Sequence, residues 1–139
     1  LRIVANIAAG TDQHTRAVVE CNGIPMAVSM FRTFFSPRNN NIKEILWMCS
    51  NILAVNDEKI HTKMMESGFV DCVMKILAPD GQVKKQLDPS DVLEKEAIYC
   101  ISNALDSAPP KIQIKWIECG AVGMLAKALD SLCKERSEK

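Results

Sequence analysis

The sequence predicts an all-α protein, about three stacked three-helix repeats wound into a right-handed superhelix. Three observations carry the prediction. The first is self-similarity: VANIAAGTDQHTRAVVECNG aligns with CSNILAVNDEKIHTKMMESG and with ISNALDSAPPKIQIKWIECG. Asn6, Asn51 and Asn103 are each followed by a glycine 17 positions later, at Gly23, Gly68 and Gly120. The second is periodicity, because apolar residues recur at spacings of three and four and no run alternates as a strand would. The third is length. At 139 residues the chain holds about one domain or a short repeat array.

Each window reads in the same order. A first helix carries the asparagine, a second runs up to the glycine, and a third follows, giving nine helices in three layers over windows of about 1–40, 41–90 and 91–139. Gly23, Gly68 and Gly120 are expected to take left-handed backbone where one helix turns sharply into the next. Pro37 with Asn39 to Asn41, Pro79 with Gly81, and Pro109–Pro110 supply the other breaks. Asn41 and Asp91 each have a glutamate three residues on, the pattern of a capping box. The asparagine interval lengthens from 45 to 52 residues, and the extra residues lie in PDGQVKKQLDPSD, an enlarged loop around 79–91 that includes the solvated pair Lys84–Lys85.

Repeats of about 42–45 residues with three helices belong to the armadillo size class, with HEAT pairs as the near alternative. One such unit cannot close a core alone, so neighbours stack and leave a long concave face. The chain opens inside an Asn-bearing helix and ends after a third helix near Leu132, so it reads as part of a longer array with uncapped end layers.

Bulk chemistry excludes several functions. Seventeen basic and seventeen acidic side chains cancel, so net charge points to neither nucleic acid nor an anionic membrane. No apolar run approaches the roughly 20 residues of a membrane span, and the start of the chain does not read as a signal peptide. A cytosolic or nuclear protein is expected. Six cysteines (Cys21, Cys49, Cys72, Cys100, Cys119, Cys133) form no C-x-x-C pair and fall mostly in apolar helical patterns, as reduced structural thiols do. His14 and His61 lack metal-helix spacing, and there is neither a phosphate loop nor a nucleophile elbow, so no metal, no cofactor and no enzyme activity are expected.

What remains is a stripe. Glu44, Trp47 and Asn51 are spaced by three and four and share one helix face. On a lining helix, the asparagine amide would meet the backbone of an extended peptide. The equivalent rows are Glu96, Tyr99 and Asn103, and Arg2 and Asn6. Packed helices lie about 8–10 Å apart and an extended chain advances roughly 3.3 Å per residue, so neighbouring rows would meet backbone groups about three residues apart. A Lys or Arg stem could lie along the indole of Trp47. The alternative for Trp47 is a core ring, which the aligned asparagine disfavours, and Glu44 could simply close a capping box on Asn41. Trp116 and the methionines Met64, Met65, Met74 and Met124 read as packing residues.

At these positions the sequence resembles importin-α, the karyopherin adaptor family whose armadillo groove binds nuclear localisation signals. LRIVANIAAGTD, KEILWMCSNILA and KEAIYCISNAL look like three successive repeats around that family's minor signal-binding site. The resemblance covers essentially the whole chain. It implies that Asn6, Asn51 and Asn103 hold peptide backbone, that Trp47 stacks on a basic side chain, and that Glu96 and Asp12 receive Lys or Arg heads. Glu44, Ser50, Tyr99 and Ser102 complete the implied peptide-binding set. Basic signal peptides and, for a full-length protein, importin-β are the implied partners, with function in cytoplasm and nucleus. Tyr99 departs from the pattern, standing where the family usually has a second tryptophan, which should weaken stacking there. The rival function is an armadillo scaffold for another partner, as in catenin-like adhesion or signalling proteins.

Overall fold

A computed structural model of the chain describes residues 1–36, 39–78 and 92–137, with side chains described through 130. These residues hold nine helices and no strand. In chain order they are α1 (Arg2–Ala8), α2 (Asp12–Glu20), α3 (Gly23–Phe34), α4 (Asn40–Leu53), α5 (Glu58–Glu66), α6 (Phe69–Leu77), α7 (Val92–Ser107), α8 (Pro110–Glu118) and α9 (Ala121–Ser137). They stack as three layers of three. The Asn-bearing helices α1, α4 and α7 pack side by side in one row, α3 packs on α6, and α5 on α8.

Local chemistry explains each start. Thr11 caps α2: its hydroxyl accepts the His14 N–H while His14 Nδ1 accepts the Thr11 N–H, a reciprocal box with histidine in the usual Glu or Gln place. Asp57 accepts the Lys59 and Ile60 N–H groups at the start of α5. Pro110 opens α8 at the first turn, where its missing N–H costs nothing.

Two expectations at helix ends are corrected. Asn39, not Asn41, caps α4: its side chain accepts the Asn41 N–H at 3.0 Å, and its amide donates to the Phe34 carbonyl at 3.1 Å, tying α3 to α4. Glu44 is therefore released from a capping box. In the first layer the left-handed residue is Asn22 (φ 62°), not Gly23. Gly23 is required for proximity instead, because a Cβ there would come within 2.7 Å of the Val18 carbonyl oxygen. Gly68 (φ 81°) and Gly120 (φ 94°) are left-handed as expected. The expected breaks at Pro37 and Pro79 with Gly81, the Asp91 capping box, the loop with Lys84–Lys85, and Cys133 lie outside the described residues or side chains.

The core runs continuously through all layers. Helix α4 lies between α1 and α7, so Ile42, Ile45, Leu46, Met48, Cys49, Ile52 and Leu53 are all fully enclosed, as befits a helix apolar on nearly every side. Trp116 is fully buried, as is Met64, while Met65, Met74 and Met124 pack partly buried against the core. Cys49, Cys72 and Cys100 are buried free thiols, and burial pushes each thiol upward from its ordinary value. That keeps them in the unreactive protonated form. His61 is also buried, with Nε2 3.0 Å from the Val55 carbonyl, and burial lowers its pKa.

Candidate peptide-binding groove

The row of α1, α4 and α7 brings Asn6, Glu44, Trp47 and Glu96 around one open hollow of about 240 Å³, together with Arg2 and Lys43. The stripe spacing explains why. Residues 44, 47 and 51 climb one face of α4, and that face meets α1 on one side and α7 on the other. Trp47 is half-buried: part of its ring packs against the core and part faces the hollow. An exposed stripe, as a lining helix implies, is thus corrected to a half-buried one, since Glu44, Asn51, Glu96 and Asn103 are likewise intermediate in exposure.

The asparagines are held rather than free. Asn51 donates one amide N–H to the Trp47 carbonyl of its own helix at 3.0 Å. Asn103 donates across the layers, from α7 to the Ser50 carbonyl of α4, at 2.9 Å. Each amide is thereby oriented and keeps an oxygen and a second N–H for another partner. Asn6 is exposed and makes no such bond.

Electrostatically the hollow is balanced, with two carboxylates facing two cations. Arg2 Nε lies 3.9 Å from Glu44 Oε1. The second oxygen, Oε2, is covered and has no hydrogen-bond partner among the described residues. Burial raises the Glu96 carboxyl above its ordinary value; neighbouring Lys43 opposes this and the Glu44 charge adds to it. A cation placed beside Glu96 would favour its charged form against the burial that opposes it.

Of the implied set, Asn6, Glu44, Trp47 and Glu96 line this hollow, whereas Asn51 and Asn103 do not. Ser50 is buried and donates its hydroxyl to the Trp47 carbonyl at 2.8 Å, so it faces the layer interior and cannot touch a peptide. The sequence expectation for Ser50 is corrected on that ground. Asp12 sits exposed in the first turn of α2 and does not line the hollow with Glu44 and Glu96. Tyr99 and Ser102 are on the solvent side of α7, Tyr99 with 59 % of its surface exposed, and neither lines the hollow. Lys43 was absent from the implied set. Its signal was available, since it stands one turn before Trp47 and so shares the stripe.

No family model matches the chain. Among solved structures, a designed armadillo repeat protein superposes with a TM-score of 0.75 at 25 % identity, over 94 % of this chain and 49 % of its own. An engineered protein from a structural genomics consortium superposes with a TM-score of 0.68 at 23 % identity, over 89 % of this chain and 27 % of its own. The chain thus spans about half the length of the first and about a quarter of the second. With the three-layer stack and its row of Asn-bearing helices, these likenesses establish an armadillo-repeat fold, a right-handed superhelix of the kind used as a binding scaffold.

Proposed function

We propose that the chain is a non-enzymatic, importin-α-like adaptor segment that binds basic nuclear-localisation-signal peptides in extended form along the α1–α4–α7 row. The observation that carries the reading is the half-buried Trp47 ring in a hollow with Glu44 and Glu96, beside oriented asparagine amides at one-helix intervals. A peptide would run across the three helices with its backbone on Asn6, Asn51 and Asn103. One Lys or Arg stem would lie on Trp47 with its charge between the two carboxylates, where ring and cation attract by about 0.5–2 kcal/mol. Shuttling between cytoplasm and nucleus, with importin-β as partner of a longer protein, completes the proposal.

The balanced charge favours a second reading, a scaffold for a partner that is not strongly basic, as in catenin-like arrays. Arg2 and Lys43 both oppose an incoming cation. One titration separates the two. In a Trp116→Phe background, where Trp47 is the remaining indole, a lysine- and arginine-rich peptide should shift the fluorescence with an affinity that falls as salt rises. The same peptide with alanine at its basic positions should not. Equal binding of both peptides, or tighter binding of an acidic one, would remove the nuclear-signal function and leave the scaffold reading.

A further inference from the structure

The glutamate of each aromatic row is preceded by a lysine: Lys43 before Glu44, and Lys95 before Glu96. Both lysines stand eight positions before their asparagines, Asn51 and Asn103, so the repeat itself sets a cation one turn ahead of each ring position. Lys43 belongs to the middle layer, where α4 is flanked by α1 and α7, and it is exposed with both neighbours in place. Its exposure is a property of the stacked groove.

Lys43 lines the hollow with Glu44, Trp47 and Glu96, near enough to Glu96 of α7 for the two charges to interact. Arg2 is engaged at Glu44, whereas Lys43 makes no ion pair among the described residues. Its ammonium, on a flexible stem with three donors, can therefore meet a ligand carboxylate. Geometry sets which one. Side chains i and i+2 of an extended peptide point to the same face, about 6.6 Å apart, and residues one turn apart on a helix are separated by about 5–6 Å. A basic side chain lying on Trp47 puts the side chain two positions along, on the α7 side, within reach of Lys43.

We infer that Lys43 makes the groove selective for peptides of mixed charge, with an aspartate or glutamate two positions from the basic residue on Trp47. The inference rests on the peptide-groove reading and deepens it. Glu44 and Glu96 face the ligand cation, and Lys43 takes the ligand carboxylate. A ligand of unbroken positive charge meets repulsion from Lys43, so this lysine suppresses the wrong partner while it attracts the right one.

NMR of the Trp47 indole N–H tests this in the Trp116→Phe background, where Trp47 is the remaining indole. The probes are short capped peptides of Ala, Gly and Ser around one central Arg. Beside this parent stand two versions with Glu two positions before or after the Arg, and two with Lys at those positions. Each is titrated into the Trp116→Phe protein and into the same protein carrying Lys43→Gln, with circular dichroism to check that helix content is kept. As a partly exposed charge pair, the Glu peptide that matches the direction of the groove should bind about 2- to 5-fold tighter than the parent, and its Lys counterpart more weakly. Lys43→Gln should tighten the parent and erase the advantage of the Glu peptide. A Glu peptide with no advantage, or an advantage that survives Lys43→Gln, overturns the inference and leaves the groove reading standing. So does an indole that shifts only with a lysine- and arginine-rich peptide. An indole that shifts with none of these peptides overturns both.

Discussion

Replacing Trp47 by alanine separates the two roles that its half-buried ring combines. Truncating a fully buried tryptophan costs about 3–5 kcal/mol, and Trp116, wholly enclosed, is the internal standard for that figure. Trp47 keeps part of its ring in the hollow, so about half of that loss is expected. Alanine returns roughly 0.5 kcal/mol of helix propensity in α4. The net destabilisation is about 1–2 kcal/mol, a fall in melting temperature of roughly 3–10 °C for a chain of this size. The backbone does not share in the change. The Trp47 carbonyl, which accepts from Ser50 and Asn51, remains in the variant, so the Asn51 amide stays oriented. Any loss of basic-peptide affinity then reports the ring alone, and a cation–ring contact of about 0.5–2 kcal/mol corresponds to roughly 2- to 30-fold weaker binding. Calorimetric titration measures this without the lost fluorophore, and thermal melting measures the stability arm. A variant that melts as low as Trp116→Ala would show that the ring is core. Unchanged peptide affinity would show that the hollow is not the binding site.

Gly23→Ala should destabilise by more than 1 kcal/mol in denaturant melts, because the new Cβ meets the Val18 carbonyl, which is backbone and cannot rotate away. Asn103→Ala should cost about 0.5–1.5 kcal/mol by the same measurement, through the lost bond to the Ser50 carbonyl that joins α7 to α4. Affinity for a basic peptide should fall on acidification from a pH above the ordinary glutamate value, since burial raises the Glu96 carboxyl and its protonated form attracts no cation; Glu96→Gln should flatten that limb of the titration. Stability should fall as pH drops below the 6.5 of an ordinary histidine, because the unfolded chain takes up the proton that buried His61 resists; His61→Gln should remove this slope from the melting temperature.

The layers were legible because each repeats one pattern, and the Asn-to-Gly interval marks helix, turn and helix three times over. Trp116 was legible as a packing residue because it lies outside the asparagine helices, as do Met64, Met65, Met74 and Met124. Finer placement was not. In ECNG both Asn22 and Gly23 tolerate left-handed backbone; Asn22 takes it, and Gly23 is needed for the close approach of Val18 instead. Asn39, Asn40 and Asn41 are chemically equal caps until the Phe34 carbonyl selects Asn39. Ser50 and Ser102 stand at the same repeat position, but one is covered by the next layer and the other is not, a distinction that depends on stacking order. In sequence, Glu44 and Glu96 are the charges that the two aromatic rows share. The balance of the hollow appears only when Arg2 approaches from another helix and Lys43 proves to share the hollow.

The unequal enclosure of α1 and α4 has a kinetic side. Helix α1 is seven residues long with two apolar side chains open to water, whereas α4 has its apolar residues sealed on both flanks. In a linear array whose stability is a sum over neighbours, amides of α4 should exchange with solvent only on global opening, and those of α1 through local fraying. The hollow is built across that gradient, with Asn6 and Arg2 on the fraying helix and Trp47 on the sealed one. A ligand spanning both would slow exchange chiefly in α1, leaving a protection pattern centred on that helix rather than on the ring it touches.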